Sequence, residues 1–114
     1  MKQFVYILTD SNRRSLHVGL TGDLLSTVQF YKRNKQLFFD SPNQVSRLVY
    51  FEEYDREDIA LKRFNTLKIY TRPQKERIIR AINTDWIDLS IGLDMERMLT
   101  AGVQLSSMPR VFHS

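Results

Sequence analysis

Phe4-Val5-Tyr6-Ile7-Leu8, the polar break Asp10-Ser11-Asn12-Arg13-Arg14, and then Leu16-His17-Val18-Gly19-Leu20-Thr21-Gly22-Asp23-Leu24 form the stretch whose reading decides the fold. Two short apolar runs around a polar break read as a β-hairpin, and the second run passes through a glycine into a helix. The first run is apolar on both alternating faces, with Phe4, Tyr6 and Leu8 on one side and Val5 and Ile7 on the other. A strand covered on both sides sits at the centre of a sheet. Residues 15–19 supply its partner, where parity places Leu16 and Val18 on one face and His17 with Gly19 on the other. A glycine inside a strand marks close backbone approach or a bulge, and Gly19 beside His17 is consistent with both.

Outward from the hairpin, Thr21 as N-cap and Asp23 in the first turn predict a helix over about 22–34. Leu24, Thr27, Val28 and Tyr31 share its inner side, and Lys32, Arg33 and Lys35 complement its C-terminal dipole. Residues 36–46 are irregular, with a turn at Asp40-Ser41-Pro42-Asn43. Arg47 to Tyr54 reads as a third strand, Leu48, Tyr50 and Glu52 alternating with Val49, Phe51 and Glu53. Asp55 and Asp58 resemble an imperfect capping box for a second helix, whose period runs through Ile59, Ala60, Arg63, Phe64, Leu67 and Tyr70. Pro73 starts a third helix to about Ile82, with Arg72 held extended and Ile78, Ile79 and Ile82 inward. Trp86 is expected in the core, since one buried indole supplies a large apolar area. The fold class is α/β (α+β): a three-stranded, mainly antiparallel sheet flanked by helices, order ββαβαα, over residues 1–89. Residues 90–114 form a C-terminal extension in which Asp94 to Ala101 reads as a short amphipathic helix.

Composition sets the outer limits. At 114 residues the chain is one domain, large enough to bury a core without staples. The absence of cysteine excludes disulfides, thiolate metal sites and a cysteine nucleophile, and fits a reducing, cytoplasmic setting. No apolar run is long enough for a signal peptide's core or a membrane span. The net charge of +4 and a pI near 9.6 are compatible with a polyanionic partner.

The hairpin followed by a helix, with the residues at set spacing, resembles the GIY-YIG nuclease superfamily, in particular its small single-domain bacterial members. Phe4-Val5-Tyr6 stands at the first signature, where Tyr6 is retained and the preceding glycine is not. Leu16-His17-Val18-Gly19 stands at the second, with His17 in place of tyrosine and Gly19 retained. Thr21-Gly22-Asp23-Leu24 matches the entry to the first helix; Thr27 replaces an arginine, and Tyr31 occupies a position that the family fills with histidine or tyrosine. Arg47-Leu48-Val49-Tyr50-Phe51-Glu52-Glu53-Tyr54 and Ala60-Leu61-Lys62-Arg63 are similar to the third strand and second helix, and Asn83-Thr84-Asp85-Trp86 to the closing motif. After Arg63 the family has a metal-ligating glutamate, and this chain has Phe64. The resemblance runs from about Lys2 to Leu89.

The resemblance implies a nuclease in which a glutamate holds one divalent cation on the scissile phosphate, tyrosines orient or deprotonate water, and arginine neutralises developing charge. A hard cation such as Mg²⁺ needs an anionic oxygen ligand, and its Lewis-acid contribution is several kcal/mol. Phe64 offers none, and Glu57, seven residues earlier, is about 10 Å away along the helix axis. Thr27 removes a fixed positive charge of a kind worth about 3–4 kcal/mol in mutational tests of transition-state donors. Family-type hydrolysis is therefore expected to be lost or very slow, leaving Tyr6, His17 and Tyr31 as a remnant site without metal or other cofactor. Against this stands a rearranged endonuclease that uses His17, a better base than a phenol at neutral pH, with Tyr6, and that alone would call for Mg²⁺ or Mn²⁺. The plainer alternative for His17 is a residue retained on a half-buried strand.

Lys62 to Arg80 is the densest positive stretch, with Lys62, Arg63, Lys68, Arg72, Lys75, Arg77 and Arg80 against Glu76. Arg63, Arg72 and Lys75, combined with Arg13, Arg14, Lys32 and Arg33, are the candidate contacts to nucleic acid. Phosphate neutralisation alone would give a non-specific Kd of ~10⁻⁴–10⁻⁶ M. A solvated helical surface explains the same residues. The expectation is weak, non-specific binding of DNA or another nucleic acid, with no membrane partner. A protein-interaction module that forms a homodimer through Met95–Leu99 is the third class.

Overall fold

The computed structural model describes residues 2–33 and 45–93. Their order is β1 (Gln3–Thr9), β2 (Leu16–Thr21), α1 (Leu24–Arg33), β3 (Arg47–Tyr54), α2 (Glu57–Lys68) and α3 (Arg72–Ile82). The sheet order is β2-β1-β3 with both pairings antiparallel, so the strand that is apolar on both faces is the central one. The fold is α+β. The turn at 40–43, Lys35 and the short helix at 94–101 lie outside the described residues.

The two faces of β1 feed two cores. Val5 and Ile7 pack with Val49, Tyr50, Ala60, Leu67, Ile79 and Trp86, beneath α2 and α3. Tyr6 and Leu8 pack with Leu24, Val28, Leu48, Phe51 and Leu89, beneath α1. The simple alternation expected along β3 fails at one point. Tyr50 pairs with Ile7 but Leu48 pairs with Leu8, so Val49 is an extra residue at a register shift. The shift places Leu48 on the α1 side and both Val49 and Tyr50 on the α2 side, which is what a bulge does to a strand with period two. Asn83 secures the bulge: its amide donates to the Val49 carbonyl at 3.0 Å and to the Ile87 carbonyl at 2.9 Å, and its oxygen accepts the Ile87 N–H at 3.0 Å.

Helix starts differ from the sequence reading. Thr21 is not the N-cap of α1, because it is still paired with Phe4 in the sheet. Asp23 caps instead, accepting the Ser26 N–H at 3.2 Å, and the helix begins at Leu24. Arg56, in extended conformation, rather than Asp55, precedes α2. Thr71 rather than Arg72 is the extended residue before α3, and Thr71 with Gln74 forms a capping box. Ile82 is exposed rather than inward, whereas Ile79 and Trp86 are buried. The chain beyond α3 returns to the α1 side: the Leu89 N–H donates to the Leu48 carbonyl at 2.7 Å, and Leu93 packs against the second core.

Candidate functional site

Tyr6 projects from β1 directly opposite Gly19 of β2. A Cβ at position 19 would lie 2.2 Å from Tyr6 Cζ and 2.3 Å from its hydroxyl, so the glycine is a close-approach position and not a bulge. The phenol ring thus lies across the second strand, buried, and its hydroxyl meets that of Tyr31 from α1. Burial, and then the Tyr31 hydroxyl, push the Tyr6 pKa up to about 12. Tyr31 completes the group, its hydroxyl 3.3 Å from His17 Nε2. The His17 ring lies 5.7 Å from Tyr31 and 6.3 Å from Tyr6 between centroids. Partial burial lowers its pKa below the ordinary value, so the imidazole is neutral at pH 7.

Thr27, one turn before Tyr31, shares its hydroxyl with that of Thr21 at 2.8 Å and donates to the Asp23 carbonyl at 2.8 Å. The Asp23 carboxylate is occupied by Ser26. The cluster is therefore one of phenols, a neutral imidazole and threonine hydroxyls. Phe64 is not part of it. It belongs to α2 and packs with the first core, on the other face of the sheet, with the Lys68 ammonium 5.3 Å from its ring centroid. Among the described residues, the donor set around Tyr6 includes no anionic oxygen and does not fit a divalent cation. Among the described residues, no group of three or more His, Asp and Glu side chains comes together.

The basic residues are dispersed, and several are engaged. Arg63 pairs with Glu52, Nε to Oε1 at 2.9 Å and a terminal nitrogen to Oε2 at 3.0 Å. Lys32 is held by Asp88 at 2.6 Å. Arg72 donates to the carbonyls of Arg13 and Arg14 and to Glu76 at 2.8 Å. Arg13, in the left-handed region at φ 59°, stacks its guanidinium 5.3 Å from the Trp86 ring centroid and donates to the Asp85 carbonyl. Arg33 donates to the neutral Gln29 at 3.5 Å, and no described residue partners the side chains of Arg14 or Lys75.

No family model matches the chain. Two UPF0213 proteins of Staphylococcus aureus, from strains Mu50 and N315, are each 35% identical to it over 77 residues, covering 68% of this chain and 93% of the relative. The chain belongs to the UPF0213 family. A UPF0213 protein of Bacillus halodurans, solved by solution NMR, shares the fold with a TM-score of 0.51 at 20% identity, covering 77% of this chain and 93% of that one.

On the opposite face of the sheet from the tyrosine cluster, this UPF0213 chain contains a polar network that sequence reasoning missed. Glu52 is buried and accepts from Arg63, Tyr50 and Tyr54, the last at 2.6 Å. Burial alone would raise its pKa, but the bonds from Arg63, Tyr50 and Tyr54 outweigh it and hold the carboxyl below its ordinary value. Tyr50, Glu52 and Tyr54 are spaced two apart and point to one face, which was the available signal. No described helix is long and apolar enough to cross a membrane.

Proposed function

We propose that this UPF0213 chain is a GIY-YIG-like domain that binds nucleic acid weakly and non-specifically and has lost the family's metal-dependent hydrolysis. The observation that carries the reading is the composition of the cluster on β1, β2 and α1. It keeps Tyr6, Gly19 and Tyr31 in contact, but among the described residues it offers no anionic ligand and no fixed cation where a scissile phosphate would be polarised. Phe64, at the position of the family's glutamate, contributes to a core instead. Arg14, Arg33 and Lys75 remain for phosphate contact. Arg13 adds charge as well, since a hydrogen bond to a backbone carbonyl leaves the guanidinium's charge in place.

The test is gel retardation of plasmid at increasing salt. Retention that weakens linearly in log Kd against log salt, with a slope corresponding to a few phosphates, is expected. Salt-independent retention, or none at low salt, would reject the binding reading in favour of a protein-interaction module. A second reading, a rearranged endonuclease, draws on one contact. The Tyr31 hydroxyl sits 3.3 Å from a His17 imidazole that is neutral at pH 7, the form a general base requires.

A further inference from the structure

The hairpin turn between β1 and β2 is fastened from three sides. Asp10 is 3% exposed, and its Oδ1 accepts the N–H groups of Asn12 at 3.0 Å and Arg14 at 2.9 Å. Arg72, in the first turn of α3, spreads its guanidinium over the carbonyls of Arg13 and Arg14, the latter at 2.6 Å. Arg13, at its left-handed φ of 59°, lies against Trp86 and donates to the Asp85 carbonyl. Folding therefore explains Arg13, which covers Trp86, and Arg72, which ties α3 to the turn. It does not explain Arg14 or Lys75. Arg14 is exposed on the turn, Lys75 is half-buried one helical turn after Arg72 on the same face of α3, and neither side chain meets a partner among the described residues. The acids nearby offset little of this charge: Asp10 is buried, Glu76 lies between Arg72 and Arg80, and Asp85 is the exposed one.

Cations held on a fixed backbone lose less freedom on meeting an anion than cations on a loose loop. Residues 10–15 and 71–77 include no aromatic, and Trp86 is buried, so this edge offers charge without a ring for a base to stack on. Such a surface meets phosphates and carries no base readout. We propose that Arg14 and Lys75, with Arg13 beside them, form a phosphate-binding edge across the hairpin turn and α3, where the nucleic-acid backbone docks. Arg72 is its positioning residue. The edge lies on the α3 side of the sheet, whereas the tyrosine cluster lies on the α1 side, so docking there leaves the phosphates away from Tyr6. The proposal rests on the nucleic-acid reading above and places its contacts.

Fluorescence anisotropy with a short labelled duplex, titrated with the full chain at several salt concentrations, tests the edge. Arg14→Gln and Lys75→Gln are each expected to lower the slope of log Kd against log salt by about 0.9, the loss of one phosphate contact, and to weaken binding severalfold at low salt. Arg14→Lys keeps the charge and is expected to keep the slope. Lys2→Gln removes the same charge at the far end of β1, roughly 20 Å away, and is expected to leave the slope unchanged. Arg72→Lys also keeps its charge but lacks the fork that takes two carbonyls, and in that background Arg14→Gln is expected to lose most of its effect. Circular dichroism checks that each variant folds. A slope indifferent to Arg14 and Lys75, or lowered equally by Lys2→Gln, would overturn the edge and leave binding by dispersed charge standing. An Arg14→Gln effect of the same size in both backgrounds would overturn the role of Arg72. Failure of the wild type to bind in low salt would overturn both the edge and the nucleic-acid reading.

Discussion

Position 19 admits only glycine because the Tyr6 ring occupies the place of a side chain. Gly19→Ala must displace a buried ring that a central strand holds from behind. It is expected to cost about 1–3 kcal/mol, as overpacking of a tight core does, and to separate the Tyr6 and Tyr31 hydroxyls. Tyr6→Phe removes one hydrogen bond without moving the ring, and its expected cost is smaller, about 1 kcal/mol. Urea denaturation of the two variants checks the order, and a Gly19→Ala protein as stable as wild type would contradict the contact. At this scale strand parity alone put His17 and Gly19 on one face of β2, whereas bringing Tyr6 to them took the register of β1 on β2. The sequence was uninformative for the arginines: composition counts charges, but whether a guanidinium faces solvent, a carboxylate or a carbonyl depends on distant residues, as with Arg72 and the hairpin turn.

Between elements, the Glu52–Arg63 pair fastens α2 to β3. Arg63→Met leaves a carboxylate that is buried with only phenol donors, and is expected to destabilise the domain by about 3 kcal/mol. The pH dependence has a definite sign. Glu52 has a folded pKa below its unfolded value, so its contribution is fully present above about pH 5 and is lost as pH falls through the lowered folded value. The gap between wild type and Arg63→Met in thermal or urea unfolding is therefore expected to narrow on acidification. A gap that is constant from pH 7 to pH 3 would show that the pair's charge is not what stabilises the contact. Element order, strand centrality and the hydrophobic period were legible because they depend on local pattern. Helix caps were not, since Thr21 and Asp23 are equally good cap types and the choice is made by the pairing of Thr21 with Phe4 in the sheet. The bulge at Val49 also escaped the sequence, being defined by Asn83, 34 residues away.

For the molecule as a whole, the two cores divide the labour between the faces of the sheet. The α2–α3 face is a packed support that includes Phe64, and the α1 face carries the tyrosine cluster, the exposed Phe30 and the returning chain at Leu89 and Leu93. This division gives the contacts of Tyr6 and Tyr31 a structural role: Tyr6 belongs to the second core and Tyr31 packs against it, so packing holds both whatever chemistry the cluster performs. The separation of Phe64 from that cluster was not legible in the sequence, where both belong to one series of signature positions. The central claim, binding without hydrolysis, is tested most directly by incubating supercoiled plasmid with the purified protein in Mg²⁺ or Mn²⁺, with Tyr6→Phe and His17→Ala in parallel. The account expects plasmid that is retained at low salt and released intact at high salt. Metal-dependent nicking by wild type that disappears in both variants would contradict it and establish a rearranged endonuclease built on His17.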